Sequence, residues 1–504
     1  MKSHLRTIAH ALVACASLTA FAADKEMSTD VVVVGGGAAG LSAAVSAAQN
    51  GAKVILLERL PFTGGAASYA EGLFGSETEW QRMKAIDLTN EEAYKHSMEF
   101  NHYRANGALV RQTIANSSGT LNWLHSLGID FEPVAISPTE ALSWHLVKEF
   151  EGAHHGAALT KCLDKRAKEL GVKILLETPG KELILNGGRV AGVKAVNAKG
   201  DNLKIRAKSV ILAAGGMGNN KTMIAKYTRF NPDTVYPAVP LNKQGETWDM
   251  AVAAGGEIGG AGCMLYPGAE GKALKPIGPL YTFTWQPQNV WVNKHGARFV
   301  AETITSSFAL AGNAIEAQRG SIAWAIFTDQ IIDHVTGPKG IDNGLGVLVP
   351  IGAQLKGLRE EFAAELATGS GVVAVADTPE ALAKATGMDP ATLKATIEDY
   401  NKFVAQKRDD AFLKNPSQLW PMSGKLYALK MSPHYFVTIG GAKVNLNWQV
   451  VDKDDKAIPG LYATGADADG MFGDTYTLWT SGMMFQTACQ SGMMAGTNAA
   501  KQAK

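Results

Sequence analysis

The chain has 504 residues, of which 46% are hydrophobic and 19% are charged, a composition typical of a globular protein long enough for two or three domains. Its 48 Lys and Arg residues balance its 47 Asp and Glu residues, so no basic excess indicates a nucleic acid or an anionic membrane surface as partner. We therefore predict no nucleic-acid partner.

Residues 1–22 have the pattern of a secretory signal peptide. The basic start MKSHLRT precedes an apolar run of small residues that is too short to span a bilayer, and Ala20-Phe21-Ala22 offers an A-x-A cleavage site. An alternative is a lipobox at 12–15, which would place a lipid anchor on Cys15. No later segment has the length and apolarity of a membrane span. The sequence thus predicts an exported, periplasmic protein.

The four cysteines, Cys15, Cys162, Cys263 and Cys489, are far apart and form no C-x-x-C or C-x-x-C-H motif. This spacing predicts buried free thiols, with no attached haem, no iron–sulfur cluster and no metal site.

After a short polar linker, residues 31–58 read VVVVGGGAAGLSAAVSAAQNGAKVILLE. They predict a buried strand, a G-x-G-x-x-G loop formed by Gly35, Gly37 and Gly40, an alanine-rich helix, and a second strand that ends at Glu58. The glycines allow a pyrophosphate to approach the helix N-terminus, and the terminal acid accepts ribose hydroxyls. This complete βαβ pattern predicts a site for NAD or FAD.

Three later regions complete the predicted elements. Residues 173–216 predict a strand meander with a hairpin turn at Asn186-Gly187, and residues 377–412 predict helices that begin near Pro379 and Pro390. Residues 460–500 predict a strand, a glycine-rich loop and a long helix.

Five further segments carry a family resemblance: TGGAAS (63–68), VILAAGG (210–216), VNKHGARFVAE (292–302), IEDYNKFVAQKRDDAF (397–412) and GLYATGADADG (460–470). In this order they resemble the flavoproteins of the fumarate reductase and succinate dehydrogenase family, in particular its soluble periplasmic reductases. The resemblance implies an α/β fold, with a Rossmann-like FAD-binding domain (28–258 and 438–504) and an inserted α+β capping domain (259–437). The substrate is expected between the two domains.

The resemblance also implies the cofactor-binding residues. The ADP half of FAD is expected at Gly35, Gly37, Gly40 and Glu58, the pyrophosphate and flavin at Thr63, Gly64, Gly65 and Ser68, the adenosine at Ala214 and Gly215, and the ribityl chain at Asp467, with Ala39, Arg59, Gly72 and Gly465 completing the set. Membrane-bound members attach FAD to a histidine just after the second strand. Residues 66–72 contain no histidine, so the FAD is expected to be non-covalent.

The active site departs from the family pattern. The proton-donating arginine of fumarate reductases falls near Ser306, a histidine falls at Val437, the substrate-binding Thr-Glu pair falls at Tyr281-Thr282, a second histidine falls near Tyr266, and the arginine that clamps a carboxylate falls at Tyr476. A dicarboxylate bound without cations would leave unpaired charge buried, which makes fumarate or succinate an unfavourable substrate.

Tyrosines offer a phenolic donor and an apolar ring, which suit a neutral or aromatic substrate. In the related 3-ketosteroid dehydrogenases a similar tyrosine binds a ketone oxygen, and we take Tyr476, Tyr281 and Tyr435 as the candidate catalytic residues.

The expected activity is FAD-dependent reduction of an α,β-unsaturated enoate or enone, as in anaerobic respiration. The chain has neither a haem motif nor a flavin-transferase acceptor, so electrons are expected from a separate cytochrome or quinol-linked protein. A 3-ketosteroid-type dehydrogenase and a non-catalytic FAD-binding protein are the alternatives.

Non-covalent attachment is directly testable. Precipitation of the purified protein with acid should release its FAD into the supernatant, since residues 66–72 offer no attachment histidine. Flavin absorbance that stays with the washed precipitate would contradict this expectation.

Overall fold

The computed structural model describes residues 24–136, 140–238 and 241–504. The predicted signal peptide and Cys15 lie outside the described residues. Cys162, Cys263 and Cys489 are buried free thiols, as predicted. Among the described helices, none combines the length and the apolarity that crossing a bilayer requires.

The strands in chain order are β1 Asp24–Ser28, β2 Val31–Val34, β3 Val54–Leu57, β4 Gly72–Phe74, β5 Phe131–Val134, β6 Trp144–Val147, β7 Lys173–Leu175, β8 Gly180–Asn186, β9 Arg189–Val196, β10 Asn202–Arg206, β11 Ser209–Leu212, β12 Tyr236–Pro237, β13 Gly262–Gly268, β14 Val290–Asn293, β15 Ala323–Thr328, β16 Val373–Ala376, β17 Leu426–Ile439, β18 Gln449–Val451 and β19 Ala457–Ala463. The helices are α1 Ala38–Gln49, α2 Glu79–Met83, α3 Asn90–Phe100, α4 Gly107–Ala115, α5 Ser117–Ser126, α6 His155–Glu169, α7 Lys221–Tyr227, α8 Glu246–Ala253, α9 Pro279–Phe283, α10 Phe308–Glu316, α11 Asp329–Thr336, α12 Leu358–Ala367, α13 Pro379–Thr386, α14 Pro390–Gln406 and α15 Met483–Ala503.

The central sheet has the strand order β18-β19-β11-β2-β3-β7. All its neighbouring strands run parallel except β18, which pairs antiparallel with β19 at one edge. Both β2 and β3 are buried along their whole length, as expected for β-branched and leucine-rich strands covered on both faces. The fold is therefore the Rossmann-like α/β arrangement, and the carboxyl ends of β2, β3 and β11 lie side by side.

Helix α15 packs closely along α1. Side chains added at Gly492 and Gly496 would overlap the carbonyl oxygens of Ala39 and Ala43, so only glycine permits this approach. The hydroxyl of Ser46 donates to the carbonyl oxygen of Met493 at 2.8 Å. Residues 483–503 thus cover the first βαβ unit, although they lie at the opposite end of the numbering.

Three local expectations require correction. The polar segment 24–28 is not a linker, because it forms β1, which pairs in parallel with β10 and is joined to it by side-chain ion pairs such as Glu26–Lys204. The segment 173–216 is not one meander, because β7 and β11 belong to the central sheet while β8, β9 and β10 form a separate antiparallel sheet with β1. The hairpin turn lies at Gly187-Gly188, whose positive φ angles of 58° and 78° suit a two-residue turn.

The cap sheet is built around the long strand β17, which pairs with β12, β13, β15 and β16, while β14 extends the sheet beyond β15. The predicted helix starts are present: the side chains of Thr378 and Asp389 each accept a backbone N–H in the first turn of α13 and α14. Helix α14 ends at Gln406, so residues 407–412 are not helical.

A buried ion cluster joins the two cap segments that carry the family resemblance, 292–302 and 397–412. The Arg298 guanidinium pairs with Glu302 and Asp409, each at 2.7 Å, and Lys414 lies 3.2 Å from Glu302. Burial alone raises the pKa of Asp409, but hydrogen bonds from Arg298 and from the N–H groups of Lys414 and Phe412 outweigh it and hold the pKa below its usual value. Since the charged form is favoured in the folded state, its contribution to stability is present above the unfolded pKa and is lost as the pH falls.

We expect Asp409→Ala to lower the free energy of unfolding by about 3 kcal/mol or more, because it leaves part of the buried Arg298 charge uncompensated. Urea denaturation at neutral pH measures this loss, which should shrink at acidic pH. The matched control is Asp410→Ala, whose carboxylate pairs only at the surface with Arg408. Equal effects of the two substitutions would contradict a structural role for the cluster.

Candidate active site

A cavity opens at the carboxyl ends of β2, β3 and β11, and several predicted cofactor residues line it: Gly35, Glu58, Arg59 and Ala214, together with Lys243, Gln244, Glu246 and Thr247. Ligands of open parallel sheets bind at this edge, where strand ends and helix N-termini converge. Arg59 pairs with Glu246 across the cavity and donates to the carbonyl oxygen of Asn242 at 3.1 Å. The cavity therefore combines backbone, carboxylate and guanidinium groups at the place predicted for the adenosine.

Glu58 is 8% exposed, and its two carboxylate oxygens accept from the N–H groups of Gly36 and Leu60, each at 2.7 Å. Burial raises the pKa of Glu58, while these hydrogen bonds and the neighbouring Arg59 charge oppose that rise. The carboxylate is thus fixed at the end of β3, facing the glycine loop, in the geometry that the βαβ pattern predicts.

The three glycines of the loop have different reasons to be glycine. Gly35 has φ +112°, and a Cβ there would overlap the carbonyl oxygen of Ala213, while a Cβ at Gly40 would overlap that of Gly35. A Cβ at Gly37 would meet nothing nearer than the carbonyl oxygen of Gly64 at 3.9 Å. The protein itself leaves space beside Gly37 at the N-terminus of α1, which is where a pyrophosphate binds. The residues present therefore fit a dinucleotide.

The segment 63–72 lies beside this loop. The Thr63 hydroxyl donates to Asp164 at 2.9 Å, and the Ser68 hydroxyl lies 3.3 Å from that of Thr160, so both side chains contact α6. Gly64 hydrogen-bonds Gly36 through its backbone. A Cβ at Gly65 would lie 3.3 Å from the Cα of Gly37. The side chains of Thr63 and Ser68 are thus engaged with α6, and Gly72 is glycine because a Cβ would meet the carbonyl carbon of His145 at 2.8 Å.

Asp467 joins the two parts of the central sheet domain. Its buried carboxylate accepts from the N–H groups of Ala214, Gly215 and Gly216 and from the hydroxyl of Thr247 at 2.8 Å. Burial raises the pKa of Asp467, and these four donors counteract the rise. All of its acceptor positions serve the protein, so here Asp467 positions the loop after β11. Gly465 lies over Ala39, with their Cβ positions 3.1 Å apart.

Aromatic residues of the cap and of the loop before α15 belong to one buried apolar cluster. The cap residues Tyr266, Tyr281, Trp285 and Phe308 pack in the same apolar cluster as Phe472 and Tyr476 of the loop before α15. The Tyr281 hydroxyl donates to that of Tyr266 at 2.8 Å and lies 2.9 Å from Nδ1 of His434. Burial raises the pKa of both phenols and lowers the pKa of His434 to about 3, so all three groups are neutral.

Strand pairing explains this arrangement. Tyr266 of β13 lies directly opposite His434 of β17, and Leu265 lies opposite Tyr435. Because successive side chains of a strand point to opposite faces, Tyr435 is directed away from the two other tyrosines. It packs in a separate cluster with Met217 and donates to the carbonyl oxygen of Gly218 at 2.7 Å. The structure therefore brings Tyr281 and Tyr266 together, and it does not bring Tyr435 to them.

Tyr476 is buried, and its ring contacts Phe472 at 5.1 Å. Its hydroxyl accepts from the N–H of Met484 at 3.4 Å, in the first turn of α15, and its hydrogen remains available to a further acceptor. Burial raises the pKa of Tyr476 to about 12, against the effect of the N–H groups of residues 482–484. A hydroxyl at the positive end of a helix is a stronger hydrogen-bond donor than an isolated phenol.

The positions that correspond to family cations carry none. The Ser306 hydroxyl donates to the carbonyl oxygen of Thr303 at 3.1 Å, and Val437 is half-buried. Within the described ranges, the buried cations belong to other features: Arg298 and Lys414 to the ion cluster of the cap, and Lys243 to the cofactor cavity. Sequence reasoning missed His434. Its signal was the period-two register of β17, which places it on the face of Tyr266.

Comparison with known proteins identifies the family of this chain. The family described as FAD binding domain matches this chain over residues 30–482. Vinyl phenol reductase of Lactiplantibacillus plantarum is 33% identical over 486 residues, which cover 95% of this chain and 97% of that protein. Urocanate reductase of Eggerthella lenta is 30% identical over 470 residues, covering 88% of this chain and 70% of that protein. The open conformation of a flavocytochrome c3 fumarate reductase superposes with a TM-score of 0.70 at 28% identity, covering 95% and 79% of the two chains.

The chain belongs to the FAD-binding flavoprotein family of the fumarate reductases and succinate dehydrogenases. It is an FAD-dependent oxidoreductase that acts on CH–CH groups, with a Rossmann-like FAD-binding domain and a capping domain. The predicted family, fold class, enzyme class and cofactor are thereby confirmed. The division at residues 259 and 437 and the individual residue roles stay predictions.

We expect Gly37→Val to fold and yet to bind no FAD, because the structure leaves space for the side chain only where the pyrophosphate binds. The ratio of flavin to protein absorbance measures cofactor content, and thermal unfolding of the apoprotein checks the fold. Gly119→Val is the matched control, since a Cβ at Gly119 has no neighbour within 4 Å. A Gly37→Val protein with full flavin content would refute the assignment.

Proposed function

We propose that the enzyme reduces the C=C bond of a neutral, aromatic or carbonyl-conjugated substrate with electrons from a separate carrier. The supporting observation is the set of neutral phenols, Tyr266, Tyr281 and Tyr476, in an aromatic space at positions where fumarate reductases carry cationic and carboxylate-binding groups. A neutral aromatic ring gains contact area against these side chains, whereas a dicarboxylate finds no buried counter-charge there.

FAD, when bound, supplies a hydride to one carbon of the C=C bond. The chain has to orient the substrate, exclude water and deliver a proton to the other carbon. Tyr476 is suited to orient it, because its hydroxyl is held by the first turn of α15 and can donate to a substrate oxygen. With a carbonyl-conjugated substrate, this hydrogen bond would polarise the double bond and stabilise the negative charge that develops on the carbonyl oxygen.

The Tyr266–Tyr281 pair is suited to deliver the proton. Tyr281 donates its hydrogen to the oxygen of Tyr266, and for the Tyr266 hydroxyl hydrogen the described residues show no acceptor. That hydrogen is therefore free to go to a substrate carbon. A phenol with a raised pKa remains protonated at neutral pH, so the pair acts as an acid rather than as a base. This favours the reductive direction over the 3-ketosteroid-type dehydrogenation.

The relatives support the same class of substrate. The name vinyl phenol reductase denotes a neutral, aromatic alkene as the substrate of a relative that aligns along nearly its whole length. Urocanate reductase and NADH:acrylate oxidoreductase are named for conjugated acids, so the relatives include reductases named for neutral substrates and reductases named for charged ones. For this chain we propose a neutral substrate, because tyrosines take the positions of the family's charged groups. Export to the periplasm and a cytochrome or quinol-linked donor protein belong to the same proposal.

The substrate class can be tested with dithionite-reduced methyl viologen as electron donor. Reoxidation of the dye should be fast with 4-vinylphenol or an aromatic enone and negligible with fumarate, because the cleft offers no pair of buried cations. Fumarate is the informative control because it carries two carboxylates. Acrylate and urocanate carry one carboxylate each, so their rates measure the effect of a single charge. Fumarate turnover equal to that of the neutral substrates would refute the proposal.

The two tyrosine roles predict different phenotypes. Tyr266→Phe should lower kcat by about 10² or more with little change in KM, because it removes the acid that serves only the transition state. Tyr476→Phe should lower kcat by about 10² and also raise KM, since the hydroxyl contacts the bound substrate as well. Both variants should keep their flavin spectrum. Tyr435→Phe is the matched control on the opposite face of β17, and a loss there as large as that of Tyr266→Phe would overturn the assignment.

A further inference from the structure

A buried histidine of the cap contacts the tyrosine pair but has no role in the chemistry described so far. Nδ1 of His434 lies 2.9 Å from the Tyr281 hydroxyl, and Nε2 is buried with no hydrogen-bond partner among the described residues. The carboxylate of Glu270 lies 3.5 Å from Nε2. Unpaired buried ring nitrogens are costly, so this one calls for a functional explanation.

Glu270 connects this histidine with solvent. It lies two residues after the end of β13, and its side chain is 56% exposed, whereas that of His434 is 2% exposed. Burial on its protein-facing side raises the pKa of Glu270, which increases the fraction that carries a proton. Four groups in a row, the carboxyl, the imidazole and two phenols, therefore extend from the surface of the cap to the aromatic space between the domains.

The surroundings hold the imidazole in place. A Cβ at Gly268 would overlap the ring of His434, so glycine is required there for the ring to fit. The rings of Tyr236, Tyr266 and Tyr281 surround it at centroid distances of 5.5, 6.1 and 5.2 Å. The groups that face the imidazole are thus one carboxyl and three neutral phenols. Because none of these groups is a cation, the ring stays neutral. It can give up a proton at one nitrogen only if it receives a proton at the other.

We propose that Glu270, His434 and Tyr281 form a relay that reprotonates Tyr266 while Tyr266 protonates the substrate, a role that rests on the proposed function of the tyrosine pair. The substrate carbon takes the hydroxyl proton of Tyr266, whose oxygen takes that of Tyr281. The Tyr281 oxygen takes the proton from Nδ1 of His434, while Nε2 takes one from the Glu270 carboxyl group, and Glu270 recovers its proton from water. Each O–H or N–H bond that breaks is matched by one that forms, and no electrons move along the relay. Each transfer leaves the ring as the Nε2–H tautomer, and exchange of its proton with solvent restores the Nδ1–H tautomer before the next turnover.

The decisive variant is His434→Phe, which keeps a planar ring in the space beside Gly268 and cannot carry a proton. In single-turnover oxidation of the dithionite-reduced enzyme by the alkene, we expect the rate to fall at least about tenfold, because the buried phenols lose their route to solvent. Glu270→Gln should show a similar fall. Glu398→Gln, an exposed carboxylate of the cap, is the matched control and should leave the rate unchanged.

Two readouts separate a relay from a structural effect. In mixtures of H2O and D2O, the wild-type rate should depend on the deuterium fraction along a curve, since several protons move together, and the dependence of His434→Phe should be linear. Imidazole added to His434→Ala should restore part of the lost rate, and imidazole added to His434→Phe should restore none. Binding of a saturated product analogue to the oxidised enzyme, followed by the flavin spectrum, should be the same in all variants.

The outcomes distinguish this inference from the proposed function. If His434→Phe turns over at the wild-type rate while Tyr266→Phe is impaired, the relay is wrong and the tyrosine acid stands. If Tyr266→Phe is also unimpaired, the proposed acid itself is wrong. A slow His434→Phe with a curved dependence like that of the wild type, or with weakened analogue binding, assigns His434 a structural role and overturns the relay.

Discussion

The buried carboxylate of Asp467 is the interaction on which the rest of the structure depends. It accepts hydrogen bonds from three successive backbone N–H groups after β11 and from Thr247 at the start of α8. A buried carboxylate without donors would be strongly destabilising, so the segments that supply the donors are held in one arrangement. That arrangement places Ala214 and Gly215 beside the loop of Gly37, and it fixes the start of the segment that leads to Tyr476.

Tyr266, Tyr281 and His434 form a buried, hydrogen-bonded group of neutral side chains in the cap. The buried cations Arg298 and Lys414 of the cap are compensated within their own ion cluster, and burial keeps Tyr281 protonated and His434 unprotonated. An interior of this kind binds apolar aromatic surface well and offers hydrogen bonds only at a few fixed oxygens. Under the proposed function, selectivity against dicarboxylates would follow from the lack of compensating charge rather than from a steric barrier.

The parts of the fold that the sequence could predict are those with local physical causes. The loop of Gly35 and Gly40 follows from steric limits on neighbouring backbone atoms, and the starts of α13 and α14 follow from capping side chains next to proline. The parts that it missed depend on distant partners. Residues 24–28 have no strong strand propensity and form β1 because β10 offers a pairing edge. The sequence offered Tyr435 as a candidate because it is a tyrosine, whereas the alternation of β17 directs it away from Tyr266 and directs His434 toward Tyr266. The family histidine falls at Val437, so the resemblance gave no reason to consider a histidine earlier in the same strand.

The packing of α15 on α1 has a consequence for how the holoenzyme is made. Ser46 and Met493, which hydrogen-bond, are 447 positions apart, so the contact closes one of the longest loops available to the chain. Gly465 and residues 483–503 cover the pyrophosphate loop, so a nascent or truncated chain that ends before them presents the glycine motif without its cover. We therefore expect flavin capture to require α15, so that a stop codon within this helix would produce a colourless apoprotein even though every residue of the recognised nucleotide fingerprint had been translated.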